Sequence, residues 1–253
     1  MRLDSTVTLT RSQTTATRTR GWLRRAIDVG LAAALILLFT PLLVLIAVTI
    51  KIDSRGPVFF RCRRAGYRGR EFEMLKFRKM YDSAGGSPLT SVDDARFTRV
   101  GSLLARTKLD EIPQLFNVLR GEMSLVGPRP EDPSFVAPRR SEFDVILSVR
   151  PGITGLSQLA FARETQILAA EDREGDYERR ILPQKLQLDR LYADRATLRT
   201  DFGILVWTIM AVVFSRSVAV HRADGRLTLR RRPRPMEAPA TAPAAQEVGS
   251  HAA

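Results

Sequence analysis

Two adjacent carboxylates stand in the run Thr107-Lys108-Leu109-Asp110-Glu111-Ile112-Pro113-Gln114-Leu115-Phe116-Asn117-Val118-Leu119-Arg120-Gly121. Ile112, Leu115, Phe116 and Leu119 recur at helical spacing, Pro113 is tolerated only in a first turn, and Gly121 marks a stop. The pattern predicts an amphipathic helix with Asp110 at or near its N-cap, where the helix dipole favours an ionised carboxylate and attracts phosphate. Neighbouring residues on a helix diverge by about 100°. Asp110 and Glu111 are therefore expected to serve different partners, one facing a reacting phosphorus and the other a metal or a second phosphate. A plain cap at Asp110, with Glu111 complementing the dipole, is the blander alternative. In Met123-Ser124-Leu125-Val126-Gly127-Pro128-Arg129-Pro130, two prolines hold Arg129 in a stiff setting that suits bidentate phosphate binding, though a structural turn with a solvated arginine has the same pattern. Lys76 and Arg78 close a candidate strand and could equally meet lipid headgroups. Asp94 and Arg96 suit a local ion pair, and Cys62 a small packing residue.

Composition narrows the chemistry. The 253 residues include 40 basic and 27 acidic ones, a net charge of +13 that points to an anionic partner. One cysteine rules out an internal disulfide, and the two histidines, His221 and His251, lie at or beyond the end of the patterned region. A histidine base and a His/Cys zinc site are disfavoured, which leaves carboxylates, Lys, Arg, hydroxyls and an oxygen-bound metal.

The elements that must position these residues begin with an uncharged apolar run at residues 29–50, long enough for a membrane helix. Thr40-Pro41 interrupts its pattern, and basic residues flank both ends: Arg18, Arg20, Arg24 and Arg25 before it, Lys51, Arg55, Arg61, Arg63 and Arg64 after it. The positive-inside rule favours one such cluster on the cytoplasmic side. A helix that enters, breaks at Thr40-Pro41 and returns satisfies both clusters, and a spanning helix with a tolerated proline remains open beside it. Residues 57–61 and 71–77 suit two strands joined by Gly66-Tyr67-Arg68-Gly69. Helices are expected at 96–104, after Asp110 and at 184–192, and residues 202–214 suit a helix lying in the bilayer interface. The division is a flexible arm at 1–21, a folded domain at 22–221 with its membrane helix at 22–50, and a basic Pro/Ala tail at 222–253.

Taken in order, Arg25-x-x-Asp28, Thr40-Pro41, Gly56-Pro57-Val58-Phe59-Phe60, Lys76-Phe77-Arg78-x-Met80, Asp94-x-Arg96, Leu109-Asp110-Glu111-Ile112-Pro113-Gln114, Asn117-Val118-Leu119-x-Gly121, Ser124 to Pro130 and Pro151-Gly152-Ile153-Thr154-Gly155-Leu156 closely resemble the bacterial sugar transferase family. These are the monotopic polyprenyl-phosphate phosphoglycosyl transferases. The resemblance implies an α+β, mostly helical fold with a re-entrant membrane helix, a small β-hairpin and interfacial amphipathic helices. It implies transfer of a sugar 1-phosphate from a nucleoside diphosphate sugar, usually a UDP-sugar, to undecaprenyl phosphate, releasing UMP. It further implies Mg²⁺, Asp110 as nucleophile and metal contact, Glu111 as its essential neighbour, and Lys76 and Arg129 at the phosphate site. The expected place is the bacterial inner membrane, facing the cytoplasm, with membrane lipids as partners and no nucleic acid. A homodimer is left open.

Three departures from the family pattern stand near the dyad. Ala105 replaces an arginine, Lys108 a serine, and Lys79 a threonine. Arg106 or Lys108 is left to compensate, and Arg106 is counted with Lys76, Arg78 and Arg129 in the phosphate-binding set. The segment 161–183 is longer than in many members, and the match is to the small form of the family. Two rivals carry different expectations. A catalytically weak scaffold for glycan assembly draws support from Ala105. A membrane-tethered nucleic-acid binder draws on the net charge, but needs basic residues gathered on one reading element, whereas here they are spread along the chain.

Overall fold

The apolar run lies inside one long helix, α1 (Arg11–Asp53), in the computed structural model, which describes residues 11–82, 94–162, 173–214 and 216–229. The helix starts well before the apolar run, within the stretch expected as an arm, because extending a helix costs far less than nucleating one. It also runs through Pro41. The expected break at Thr40-Pro41 is thus corrected to a continuous helix. A proline removes one donor from the ladder and leaves the rest intact, while the Thr40 hydroxyl donates back to the Ile36 carbonyl at 2.7 Å.

Behind α1 the chain forms a hairpin of β1 (Phe59–Ala65) and β2 (Glu71–Phe77). The turn between them places Arg68 and Gly69 at positive φ. Helix α2 (Arg99–Thr107) follows, capped by the Thr98 hydroxyl, which accepts from the Gly101 amide. Then come a 3₁₀ turn (Leu109–Glu111) and helix α3 (Gln114–Arg120), closed by Gly121 in the left-handed region. Strand β3 (Ser124–Val126) pairs in parallel with β4 (Gly152–Thr154) across a set of short helical turns. Helices α4 (Leu182–Arg195) and α5 (Leu198–Val212) come next. A hairpin of β5 (Val218–Val220) and β6 (Leu227–Leu229) then carries regular structure past residue 221, where the folded part was expected to stop. The expected Gly-rich loop at 85–88, residues 163–172 of the long segment 161–183 and the tail from residue 230 lie outside the described residues.

Both halves of α1 are built into this body. Near its start, Arg24 bonds the Val126 carbonyl, Tyr192 and Asp201. Arg25 reaches the Val118 and Leu119 carbonyls at the end of α3, and buried Asp28 accepts from the Ser124 hydroxyl and the Leu125 amide. Near its end, Ile46 and Ile50 pack with Phe77 and Leu104, and Asp53 accepts from the Val100 amide. Between these clasps Leu37 and Leu38 are 76% and 69% exposed, a bare apolar stretch that water would penalise. Helix α5 adds to it. Phe202, Val206, Ile209 and Val213 recur on one exposed side while Asp201 and Ile204 are buried on the other, as an interfacial helix requires.

Candidate active site

Lysine and carboxylate meet because one side chain ties β2 to α3. Asn117, fully buried, accepts from the Leu75 amide at 2.9 Å and donates to the Glu73 carbonyl at 2.7 Å and to Glu122. This lays the end of β2, with Lys76 and Lys79, against the 3₁₀ turn that carries Asp110 and Glu111. A second scaffold sets Arg129. The Gly127 amide donates to the Thr154 carbonyl and the Gly152 amide to the Pro128 carbonyl. A Cβ on Gly152 would fall 2.0 Å from the Gly127 nitrogen, so these backbones touch in a way only glycine allows. The loop leaving that contact is held further by Glu131, whose carboxylate pairs with buried Lys185 at 2.9 Å.

Asp110 and Glu111 point to different partners. Glu111 Oε1 accepts from Lys76 Nζ at 3.0 Å and from Arg129 Nη2 at 3.1 Å. Burial alone would raise its carboxyl, but Lys76, Arg129 and Lys108 outweigh it and hold the group well below the usual carboxylate range. Asp110 is 2% exposed, and its Oδ2 lies 3.4 Å from Lys79 Nζ. Burial pushes the Lys79 ammonium down, and Asp110 restores part of that. Asp110 Oδ1 is buried with no hydrogen-bond partner among the described residues. The expected N-cap is corrected: Asp110 sits in the 3₁₀ turn, with Pro113 at the cap position of α3 and no side-chain cap bond. Lys108, at φ 61°, makes the sharp joint that turns Asp110 inward from α2.

The remaining site candidates separate. Lys76 and Arg129 join the cluster. Arg78 does not: its buried guanidinium donates to the Ser54 and Arg55 carbonyls, clamping the chain as it leaves α1. Carbonyls orphaned at a helix end need donors, and Arg78 supplies them. Arg106 is exposed on α2, with no partner among the described residues, so the compensating charge comes from Lys108 acting on Glu111 and from Lys79 on Asp110. Asp94 and Arg96 form the expected ion pair at 2.7 Å. Asn117, Lys185 and Glu131 carried no assigned role in the sequence reading. Lys79 stood out there only as an unusual residue, three positions beyond Lys76.

No three His, Cys, Asp or Glu side chains among the described residues are grouped to hold a metal. The unpartnered Asp110 Oδ1 is a carboxylate oxygen there that could ligate a hard cation, whose other ligands would have to be water or substrate oxygens.

A model of the bacterial sugar transferase family matches residues 19–215. The chain belongs to that family. The matched stretch takes in the clasped part of α1 and all of α5, so both exposed apolar surfaces are part of the bacterial sugar transferase unit. Among its relatives, the undecaprenyl-phosphate glucose phosphotransferase of Komagataeibacter xylinus is 39% identical over 77% of this chain and 36% of its own length. The UDP-glucose:undecaprenyl-phosphate glucose-1-phosphate transferase of Caulobacter vibrioides is 37% identical over 75% of this chain and 69% of its own. The exopolysaccharide production protein ExoY of Rhizobium meliloti is 34% identical over 78% and 88%. The chain thus spans about a third of the Komagataeibacter protein and most of the Rhizobium one.

Proposed function

We propose that the chain transfers a sugar 1-phosphate from a UDP-sugar to undecaprenyl phosphate, with Asp110 as the nucleophile, at the cytoplasmic face of the bacterial inner membrane. The observation that carries this reading is the buried Asp110 carboxylate, with one oxygen paired to Lys79 and the other unpartnered, beside cations gathered by Glu111. The relatives' names supply the substrate classes.

Asp110 Oδ1 attacks the phosphorus that bears the sugar. A carboxylate–phosphorus bond forms, the diphosphate P–O bond breaks, and the electron pair leaves on UMP. An oxygen of the lipid phosphate then attacks the same phosphorus and frees the carboxylate, leaving a polyprenyl-diphosphate sugar. Arg129 offers a planar fork to phosphate oxygens from its glycine-braced loop, and Lys76 a point charge from β2. Glu111, kept charged by both, holds them at one place and cannot itself be the free nucleophile. Asp110 would be the residue to hold Mg²⁺, and the ion would supply neutralisation of phosphate charge.

Two clasps on α1 support the proposed membrane geometry. Residues 24–28 and the last turn of α1 are both bonded to one polar body, so both flanks of the apolar stretch between them lie on that body's side. The bare stretch of the helix, around Leu37, Leu38 and Pro41, sits in the bilayer while both flanks stay with the body, and Pro41 is where an unbroken helix bends most readily. The nucleotide donor then reaches the site from the cytoplasm and the lipid from the apolar side.

The test is intact-protein mass spectrometry after mixing with UDP-glucose and Mg²⁺ without acceptor, with Asp110→Asn alongside. An adduct of one phosphosugar on the Asp110 peptide, lost in Asp110→Asn and under EDTA, is the expected result. Intersecting initial-rate patterns with no adduct would leave Asp110 as a metal ligand in a direct transfer.

A further inference from the structure

A carboxylate as buried as Asp110 needs a counter-charge, and the structure supplies it from a residue outside the Glu111 cluster. Lys79 Nζ lies 3.4 Å from Asp110 Oδ2 and 5.6 Å above the Phe97 ring. Its backbone is fixed from two sides. The Lys79 carbonyl accepts from the Thr98 amide at 3.1 Å, and Met80 bridges to Phe97. Helix α2 presses so closely here that a Cβ on Gly101 would stand 1.8 Å from the Lys79 carbonyl oxygen. The ammonium is therefore held where it is by the start of α2, by the end of β2 and by an aromatic face. It meets one oxygen of the carboxylate and leaves the other without a partner.

We propose that Lys79 is a positioning residue for the transfer. It pins Oδ2, so that Oδ1 is the oxygen presented to phosphorus, and it follows the charge as the reaction proceeds. When Oδ1 bonds to phosphorus, the carboxylate becomes an acyl phosphate, its negative charge is gone from Oδ2, and the new charge lies on the phosphoryl oxygens next to it. An ammonium on a flexible stem can shift from one to the other. When the lipid phosphate displaces the carboxylate, the pairing with Oδ2 re-forms. Lys76 and Arg129 both bond Glu111, whereas among the described residues Lys79 is the basic side chain ion-paired with Asp110.

This inference rests on Asp110 being the nucleophile, and the experiment separates the two. Lys79→Met, Lys79→Gln and Lys79→Arg are compared with wild type in lipid nanodiscs. Quench-flow with UDP-glucose and no acceptor gives the rate of adduct formation, and steady-state assays give kcat and the donor KM. Loss of one preorganised charge at a reacting group is worth about 100-fold in rate. Lys79→Met is expected to slow adduct formation by that order with a much smaller change in donor KM. Lys79→Arg should recover a good part of the rate and Lys79→Gln little. If the methionine variant folds poorly, the arginine and glutamine variants carry the test, because they differ in charge and both keep a polar end. Adduct formation within about threefold of wild type in Lys79→Gln, with Asp110→Asn inactive, would overturn the role of Lys79 and leave the nucleophile standing. Full turnover in Asp110→Asn would remove both.

Discussion

Asp189 gives the most quantitative handle on the scaffold behind Arg129. It lies on α4, 3% exposed, one turn after Lys185, and its Oδ1 has no hydrogen-bond partner among the described residues. Burial, opposed by Ser157, Lys185 and Arg129 and reinforced by Glu131, pushes its carboxyl up from 3.8 to about 7. A carboxyl raised in the folded state holds its proton there more tightly than in the unfolded chain. That contribution to stability is complete below the unfolded value and is lost as pH rises through about 7. At about 1.4 kcal/mol per tenfold change in proton affinity, the span corresponds to something on the order of 4 kcal/mol. Asp189→Asn keeps the shape and removes the titration. Thermal unfolding of wild type and variant in nanodiscs from about pH 5 to about pH 8 samples roughly 3 kcal/mol of that span and should show the variant gaining on wild type as pH rises, by roughly 5–10 °C at 2–4 °C per kcal/mol. Parallel curves for the two proteins would refute the argument, since they would mean that Asp189 is not protonated in the fold at the lower pH, or that Lys185 compensates it throughout.

Three further outcomes are expected. Arg129→Lys keeps charge but loses the planar fork, so kcat should fall about 100-fold with a smaller change in KM, and near-wild-type turnover would return Arg129 to a turn-forming role. Asn117→Ala strands the Leu75 amide and releases β2 from α3, which should cost about 2–3 kcal/mol in denaturant unfolding; a loss under about 0.5 kcal/mol would show that β2 is held by packing alone. In a Cys62→Ser background, single cysteines replacing Trp22 and Arg55 should both resist a membrane-impermeant thiol reagent in intact spheroplasts. Labelling of one alone would mean that α1 spans the bilayer.

Features with a local signature could be read from the sequence. Residues 29–50 announce a membrane helix by length and lack of charge, and the hairpin follows from two apolar-rich runs around Gly66 and Gly69. Asp110 and Glu111 diverge as adjacent residues on a turn must. The pairings that assemble the site leave no such mark. β3 and β4 are three residues each, too short for a period, and their contact shows only as glycines in two separate motifs. Arg78 and Arg106 sit beside site residues in sequence, yet one faces the carbonyls at the end of α1 and the other faces solvent. Charge and proximity in the chain said nothing of direction. Lys79 could have been suspected by counting along the strand end from Lys76, but only the approach of α2 shows where its ammonium rests. The start of α1 at Arg11 and its passage through Pro41 reflect the cooperativity of a long helix, which residue-by-residue propensities understate.

The clasp at the start of α1 has a consequence for how the molecule is made. Arg24 leaves the ribosome well before its partners Val126, Tyr192 and Asp201, which follow 102, 168 and 177 residues later. A segment synthesised before its partners is thus satisfied only after them, and the loop it must close spans most of the described chain. While it waits, the bilayer can shelter its apolar stretch, but nothing in lipid can replace Asp201 or the Val126 carbonyl. A fragment that discards α1 to gain solubility would leave Asp201 without its Arg24 counter-charge and strand the Leu125 amide inside the remaining body. For this protein the membrane segment is a component of the core that happens to be wetted by lipid, and folding of the catalytic part ends only when that segment has been docked.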